Sequence, residues 1–394
     1  MVKQPKNLSS DLRGISKLSI DAVKGTSKVV ESLHSTISQF TSILGSSKEK
    51  TTGVTAAVYK SINTVTHLLG EGIDAILGKA SQLQDDYSVD HPFSSKRAAI
   101  AAAMNGVLGN HFQSSENPLA IEMSFRIQGK TLTPQALENI FNSAPTITLL
   151  IHGLCMNDLQ WNRDGHNHGD ALAKQLGYTV IYLHYNTGLH VSENGKQLSQ
   201  LLSAIHFNNK ALKLNILAHS MGGLVARSAC HYARQSHCSW LSHLNKMIFL
   251  GTPHHGALLA QGGHWADVLL QISPYSAPFA KITKVRSNGL TDLCHGYVVD
   301  EHWNSEGEQV MVSLPENVQC YAIAATKSNK QSSKLVKDVI GDGLVTVNSA
   351  LGKHKNRDLN IPENKQWVGQ NISHIQLLSD ESVYAAIKKF LQLS

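Results

Sequence analysis

Long apolar runs are missing from this chain. No stretch of it approaches the roughly 20 consecutive apolar residues of a membrane-crossing helix, so none is expected. Cysteine is scarce: Cys155, Cys230, Cys238, Cys294 and Cys320 stand apart, without CxxC spacing. That scatter and the odd count favour free thiols in a reducing compartment over a disulfide framework. Aromatics are only 6% of the residues, and they do not interleave with basic ones; with no finger spacing either, a nucleic-acid partner is not expected. Met1-Val2-Lys3-Gln4-Pro5-Lys6 leads into Ser, Asp and Arg instead of an apolar core, unlike a secretory signal. The expected location is cytoplasmic, at most peripheral to a membrane.

What is present is a chain of 394 residues, 42% hydrophobic, long enough for one large domain with an appendage. The net charge of +6 is unevenly placed: residues 1–60 carry nine Lys/Arg against four Asp/Glu. Over 10–46, Val23, Thr26, Val30, Leu33, Ile37, Phe40 and Leu44 recur at three- and four-residue steps, the stripe of an amphipathic helix. After Gly45-Ser46-Ser47-Lys48 a second such pattern runs over about 52–83, through Val54, Val58, Ile62, Val65, Leu69, Ile73 and Ile76. A third, Ala-rich, runs from Ser95 to Leu108. These stripes are expected to pack on each other and on the following domain; a lipid surface or a partner chain is the alternative.

From about Leu119 the texture changes. Ile121–Ile127 alternates like a strand, with a turn at Gly129-Lys130. Short aliphatic and β-branched runs follow at Thr146–Ile151, Tyr178–His184, Leu214–Leu217, Lys246–Leu250 and Val318–Ala324, with helical patterns between them. That rhythm predicts a mostly parallel central sheet with helices on both faces.

The Leu214–Leu217 run breaks at Ala218-His219-Ser220-Met221-Gly222-Gly223. Small residues around a serine between a strand and a helix are the layout of a nucleophile elbow; otherwise Ser220 is an N-cap. Serine needs a base, an orienting acid and oxyanion donors. His152-Gly153-Leu154 follows the Thr146–Ile151 strand, so the N–H groups of Leu154 and Met221 are the expected donor pair. His152 precedes the serine and is read as shaping the loop. Asp342, between Gly341 and Gly343, is the candidate acid, with Asp338 as competitor and an Asp-Gly turn as the plain alternative. His374 is the candidate base. His354 sits in the polar run Lys353–Arg357 and is the weaker choice. His166, His168 and Asp170 have metal-like spacing but read as a solvated Asn/Gly loop.

Together, Ala-His-Ser-Met-Gly-Gly (218–223), His-Gly-Leu (152–154), Gly-Thr-Pro-His-His-Gly (251–256), Gly-Asp-Gly-Leu-Val (341–345) and His374 resemble the α/β-hydrolase superfamily. More narrowly, the set resembles bacterial serine lipases and esterases. The resemblance spans about 119–394 and implies an α/β-hydrolase fold, with Ser220, Asp342 and His374 as triad and no cofactor. It departs from the common elbow at Ala218. His254 and His255 are read as packing residues, and no calcium or other metal site is claimed. The expected organisation is an N-terminal helical region (1–115) and a catalytic domain (116–394) whose insertion at 257–315 caps the site. The expected activity is hydrolysis of carboxylic esters with apolar acyl groups. The alternatives are acyl transfer on the same scaffold, or a non-catalytic protein that binds a membrane or partner.

Overall fold

The computed structural model describes residues 13, 14, 16, 17, 95–257, 287–304, 310–328 and 341–393. The helical patterns of 10–46 and 52–83, most of the insertion at 257–315, and Asp338 lie outside the described residues.

Eight strands form one sheet in the order β2-β1-β4-β3-β5-β6-β7-β8. They are β1 (Ser124–Ile127), β2 (Lys130–Thr131), β3 (Thr146–Ile151), β4 (Thr179–His184), β5 (Lys213–His219), β6 (Leu244–Leu250), β7 (Gln319–Thr326) and β8 (Gln366–Gln370). β4 through β8 run parallel; β1 lies antiparallel to β4, and β2 antiparallel to β1. Gln128 (φ 49°) and Gly129 (φ 75°) turn the β1–β2 hairpin, the positive-φ pair that suits a two-residue connection.

The helices are α1 (Ser95–Ser114), α2 (Pro134–Ser143), α3 (His168–Leu176), α4 (Val191–Ser203), α5 (Met221–Gln235), α6 (Asn288–His295), α7 (Glu301–Asn304), α8 (Val347–Ala350) and α9 (Glu381–Gln392). Alternation along the strands decides what covers each face. Leu149, Ile151, Met247 and Phe249 pack with Leu137 and Phe141 of α2, Leu198 of α4, Leu224 of α5 and Leu290 of α6. Their neighbours Leu150, Ile248 and Leu250 turn the other way, to Leu172 of α3 and Val383, Ile387 and Phe390 of α9. With both faces covered, the central strands read as continuous apolar runs. This is the α/β-hydrolase fold.

Several helices start at a capping side chain. Thr133 caps α2 ahead of Pro134, Asn167 caps α3, and the Asp380 carboxylate accepts from Ser382 and Val383 at the start of α9. Such side chains replace the missing acceptors of a helix's first turn, at about 1 kcal/mol each. α1 differs. Ile100, Ala103, Met104, Val107, Leu108 and Phe112 form a separate apolar cluster with Leu119 and Cys155, so this helix packs on the loop that follows β3. No described helix is long and apolar enough to cross a membrane.

Candidate active site

Parallel strands in such sheets present their C-terminal ends to one crevice, and the candidate residues all lie there. Ser220 follows β5, His152-Gly153-Leu154 follow β3, Asp342 lies beyond β7, and His374 beyond β8.

Ser220 has φ 54° and ψ −125°, a conformation rare for a residue with a side chain. It persists because both flanks are held. The Ser220 N–H donates to Leu250 O at 2.9 Å, and α5 begins at the next residue. The turn is as tight as its neighbours permit: a Cβ on Gly222 would lie 2.4 Å from Ile151 O and 2.7 Å from His152 O. A Cβ on Gly153 would meet that of Ser220 at 3.0 Å, so the β3 loop lies directly against the elbow. No described residue accepts a hydrogen bond from the N–H of Leu154 or of Met221. Leu154 is half-buried and Met221 buried.

Asp342 and His374, 32 residues apart, meet through two hydrogen bonds. His374 Nδ1–H donates to Asp342 Oδ2 at 2.7 Å, and the His374 N–H donates to Asp342 O at 3.0 Å. The other carboxylate oxygen, Oδ1, accepts from the N–H groups of Leu344 (2.9 Å) and Val345 (2.8 Å). The acid is thus fixed at both oxygens while 1% exposed, with His374 4% and Ser220 5% exposed. Nδ1 is engaged, which leaves Nε2 as the ring's proton-accepting atom. The Ser220 hydroxyl makes no hydrogen bond to His374. The ring reaches the elbow through His219 instead: the ring centres are 4.7 Å apart, and His219 Nε2–H donates to His374 O at 3.1 Å. Burial, then the nearby His374, push the pKa of His219 well below its ordinary value, so it stays neutral beside His374.

Nothing in the sequence marks His219 beyond its place beside the serine in the elbow motif. His152 is fully buried, with its ring stacked on Tyr185 (4.5 Å between centres). Its Nδ1–H donates to Gly153 O at 3.0 Å, and burial lowers its pKa to about 3. The residue shapes the loop from inside. His254 is buried against Arg227 (Nδ1 to Nη1, 3.3 Å), and His255 Nε2–H donates to Gly352 O at 3.0 Å.

One expectation needs correction. His168 does not sit in a solvated loop: it is fully buried, and its Nε2–H donates to Leu377 O at 2.9 Å. Its Nδ1 lies 2.8 Å from His166 Nε2. The polar residues around it are helix-capping groups, and its burying partners come from the other end of the chain. Among the described residues, no cluster of three or more His, Cys, Asp or Glu has the geometry to hold a metal ion.

α1 and α6 meet beside the elbow. Ser287 Oγ–H, at the start of α6, donates to Gly106 O of α1 at 2.6 Å, and Gly289 of α6 lies against Met221 Cε.

A family model described as a domain of unknown function (DUF7379) matches residues 124–294. None of the curated proteins matches the chain. Among solved structures, the mature form of Bacillus licheniformis lipase BlEst2 is similar at 18% identity and TM-score 0.44, covering 69% of this chain and 98% of that one. The metagenomic carboxyl esterase MGS0156 is similar at 13% identity and TM-score 0.40, over 75% of this chain and 90% of its own. A lipase-esterase related protein from Clostridium acetobutylicum ATCC 824 is similar at 13% identity and TM-score 0.37, over 63% and 95%. At those identities and TM-scores, none of them bears on which side chains act in this chain.

Proposed function

We propose that this protein is a serine hydrolase of carboxylic esters with apolar acyl groups. The observation that carries the reading is the buried His374–Asp342 pair, 2.7 Å apart, packed against the residue that precedes a serine held at φ 54°. Ser220 Oγ attacks the ester carbonyl while His374 Nε2 takes its proton. Asp342 holds the ring with Nδ1 protonated and stabilises the imidazolium. The unspent N–H groups of Leu154 and Met221 receive the oxyanion. His374 then gives its proton to the leaving alkoxide, and water, activated by the same ring, releases the acyl group. Ring and hydroxyl tighten to hydrogen-bond distance when the ester docks, as apo sites commonly do.

In this reading residues 116–394 are the catalytic domain, 257–315 cap it, and 1–115 form a helical region that packs on it. The test is Ser220→Ala against a fluorophosphonate probe and nitrophenyl esters of two to sixteen carbons. Labelling and hydrolysis are expected to vanish together; labelling that survives in S220A refutes the assignment.

A further inference from the structure

The Leu154 N–H can stabilise an oxyanion only if its peptide is held in place, and the loop that carries it is tied peptide by peptide. The carbonyl of His152, one peptide before, accepts from Tyr185 Oη–H at 2.7 Å. The Gly153 carbonyl accepts from His152 Nδ1–H at 3.0 Å. One peptide later, the Cys155 N–H donates to Thr187 Oγ1 at 3.1 Å. Cys155 is buried and has φ 57°, a strained conformation for a residue with a Cβ. Thr187, itself 1% exposed, supplies the only acceptor the Cys155 N–H has among the described residues.

Thr187 also sits in a turn that touches α1, α4 and α6. Asn186 Nδ2–H donates to Gly109 O of α1 at 3.0 Å. The Gly289 N–H of α6 donates to Gly188 O at 3.1 Å, and Asn194 Nδ2–H of α4 donates to Asn186 O at 3.0 Å. The turn is therefore fixed from three sides before it offers its hydroxyl to the loop.

We propose that Thr187 is a positioning residue for the oxyanion pocket: by accepting from Cys155, it keeps the loop strained and the Leu154 N–H aimed at the reacting carbonyl. The inference rests on the serine-hydrolase reading and assigns a role to a side chain that touches no substrate. Losing the hydroxyl frees Cys155 to relax toward ordinary φ, which swings the Leu154 peptide. Transition-state stabilisation then suffers while ground-state binding does not.

The experiment compares Thr187→Val and Thr187→Ser in the full chain, with kcat expressed per site titrated by a fluorophosphonate. T187V keeps the shape and removes the acceptor; T187S keeps the acceptor. For T187V, kcat is expected to fall about 10- to 100-fold, short of the 10²–10³ lost with a whole oxyanion donor. KM is expected to stay within about twofold, and the rate of fluorophosphonate modification to fall in parallel. T187S is expected to stay within about threefold of wild type, since the acceptor is retained. If T187V does not accumulate folded, Thr187→Ala makes the same deletion in a smaller side chain. A T187V or T187A protein that titrates fully and turns over at the wild-type rate overturns the proposal. So does a T187S protein as impaired as T187V, which makes the effect one of packing. A wild-type protein that takes up no fluorophosphonate overturns the hydrolase reading itself.

Discussion

Asp342→Asn separates the charge of the acid from its shape, and the structure fixes how the new amide sits. Oδ1 of Asp342 accepts from the N–H groups of Leu344 and Val345 at 2.9 and 2.8 Å. An asparagine must turn its oxygen to those two donors, because its NH2 there would face N–H against N–H. The NH2 is thereby pointed at His374 Nδ1, where Oδ2 now lies at 2.7 Å. A donor facing Nδ1 selects the imidazole with its proton on Nε2. That tautomer cannot accept the proton of Ser220, and the imidazolium loses its counter-charge. In triads of this kind the same change costs on the order of 10⁴ in kcat, and that is the expected loss here. Stability should change less. Three charge-assisted hydrogen bonds, with His374 Nδ1 and the N–H groups of Leu344 and Val345, become neutral ones, at a difference of about 1 kcal/mol each. The resulting ~3 kcal/mol corresponds to a fall in Tm of about 7 °C for a domain of this size. The assay is kcat on a nitrophenyl ester per folded molecule, with thermal unfolding alongside. D342N in a His374→Ala background should add little further loss, since the two residues act as a unit. A D342N protein that folds and keeps its kcat within tenfold of wild type refutes the reasoning.

Two further perturbations test how the surroundings serve this pair. A Cβ on Gly106 would lie 2.2 Å from Cys155 Sγ and 3.0 Å from its Cα, so Gly106→Val should force α1 off the loop that follows β3. The expected result is a loss of about 1–3 kcal/mol of stability with a disproportionate fall in kcat; unchanged kcat and Tm would show that α1 does not bear on the loop. Acid should unfold the protein early. Burial lowers the pKa of His152 to about 3 and of His168 and His255 to about 4, and holds His219 and His254 well below the ordinary value. Between those values and about 6.5 the unfolded chain binds protons that the folded chain refuses, so stability rises with pH there and is lost on acidification. Urea unfolding at pH 7, 6, 5 and 4 should show a steady fall in ΔG, at most about 1.4 kcal/mol per pH unit for each proton taken up. A flat profile over that range contradicts the neutral burial of these rings.

What the sequence could show, and what it could not, follows from how far apart the interacting residues lie. Thr146–Ile151 is legible to the residue as β3 because it is a continuous apolar run buried on both faces. β5 runs past the expected Leu214–Leu217 to Lys213 and His219; pairing with β3 and β6 holds these ends where propensity alone does not. β8 leaves no trace in the pattern. Gln366-Trp367-Val368-Gly369-Gln370 is an edge strand paired only to β7, with one buried residue, so it needs no apolar run. α1 continues beyond Leu108 to Ser114 because Phe112 finds its own cluster there. The elbow stands out in the sequence since its geometry tolerates only small neighbours, and a backbone constraint of that kind is written locally. Asp342 and His374 could be named by chain order, although their approach to 2.7 Å is tertiary. The bonds that brace them span the chain: His219 to His374 over 155 residues, Cys155 to Thr187 over 32, His168 to Leu377 over 209. A hydrogen bond between distant residues imposes no periodicity and no local composition. His168 therefore reads as loop polarity, and nothing in the sequence ties Thr187 to Cys155. A constraint on backbone shape is readable from one sequence, and the ties that hold the shape become readable only once the chain is folded.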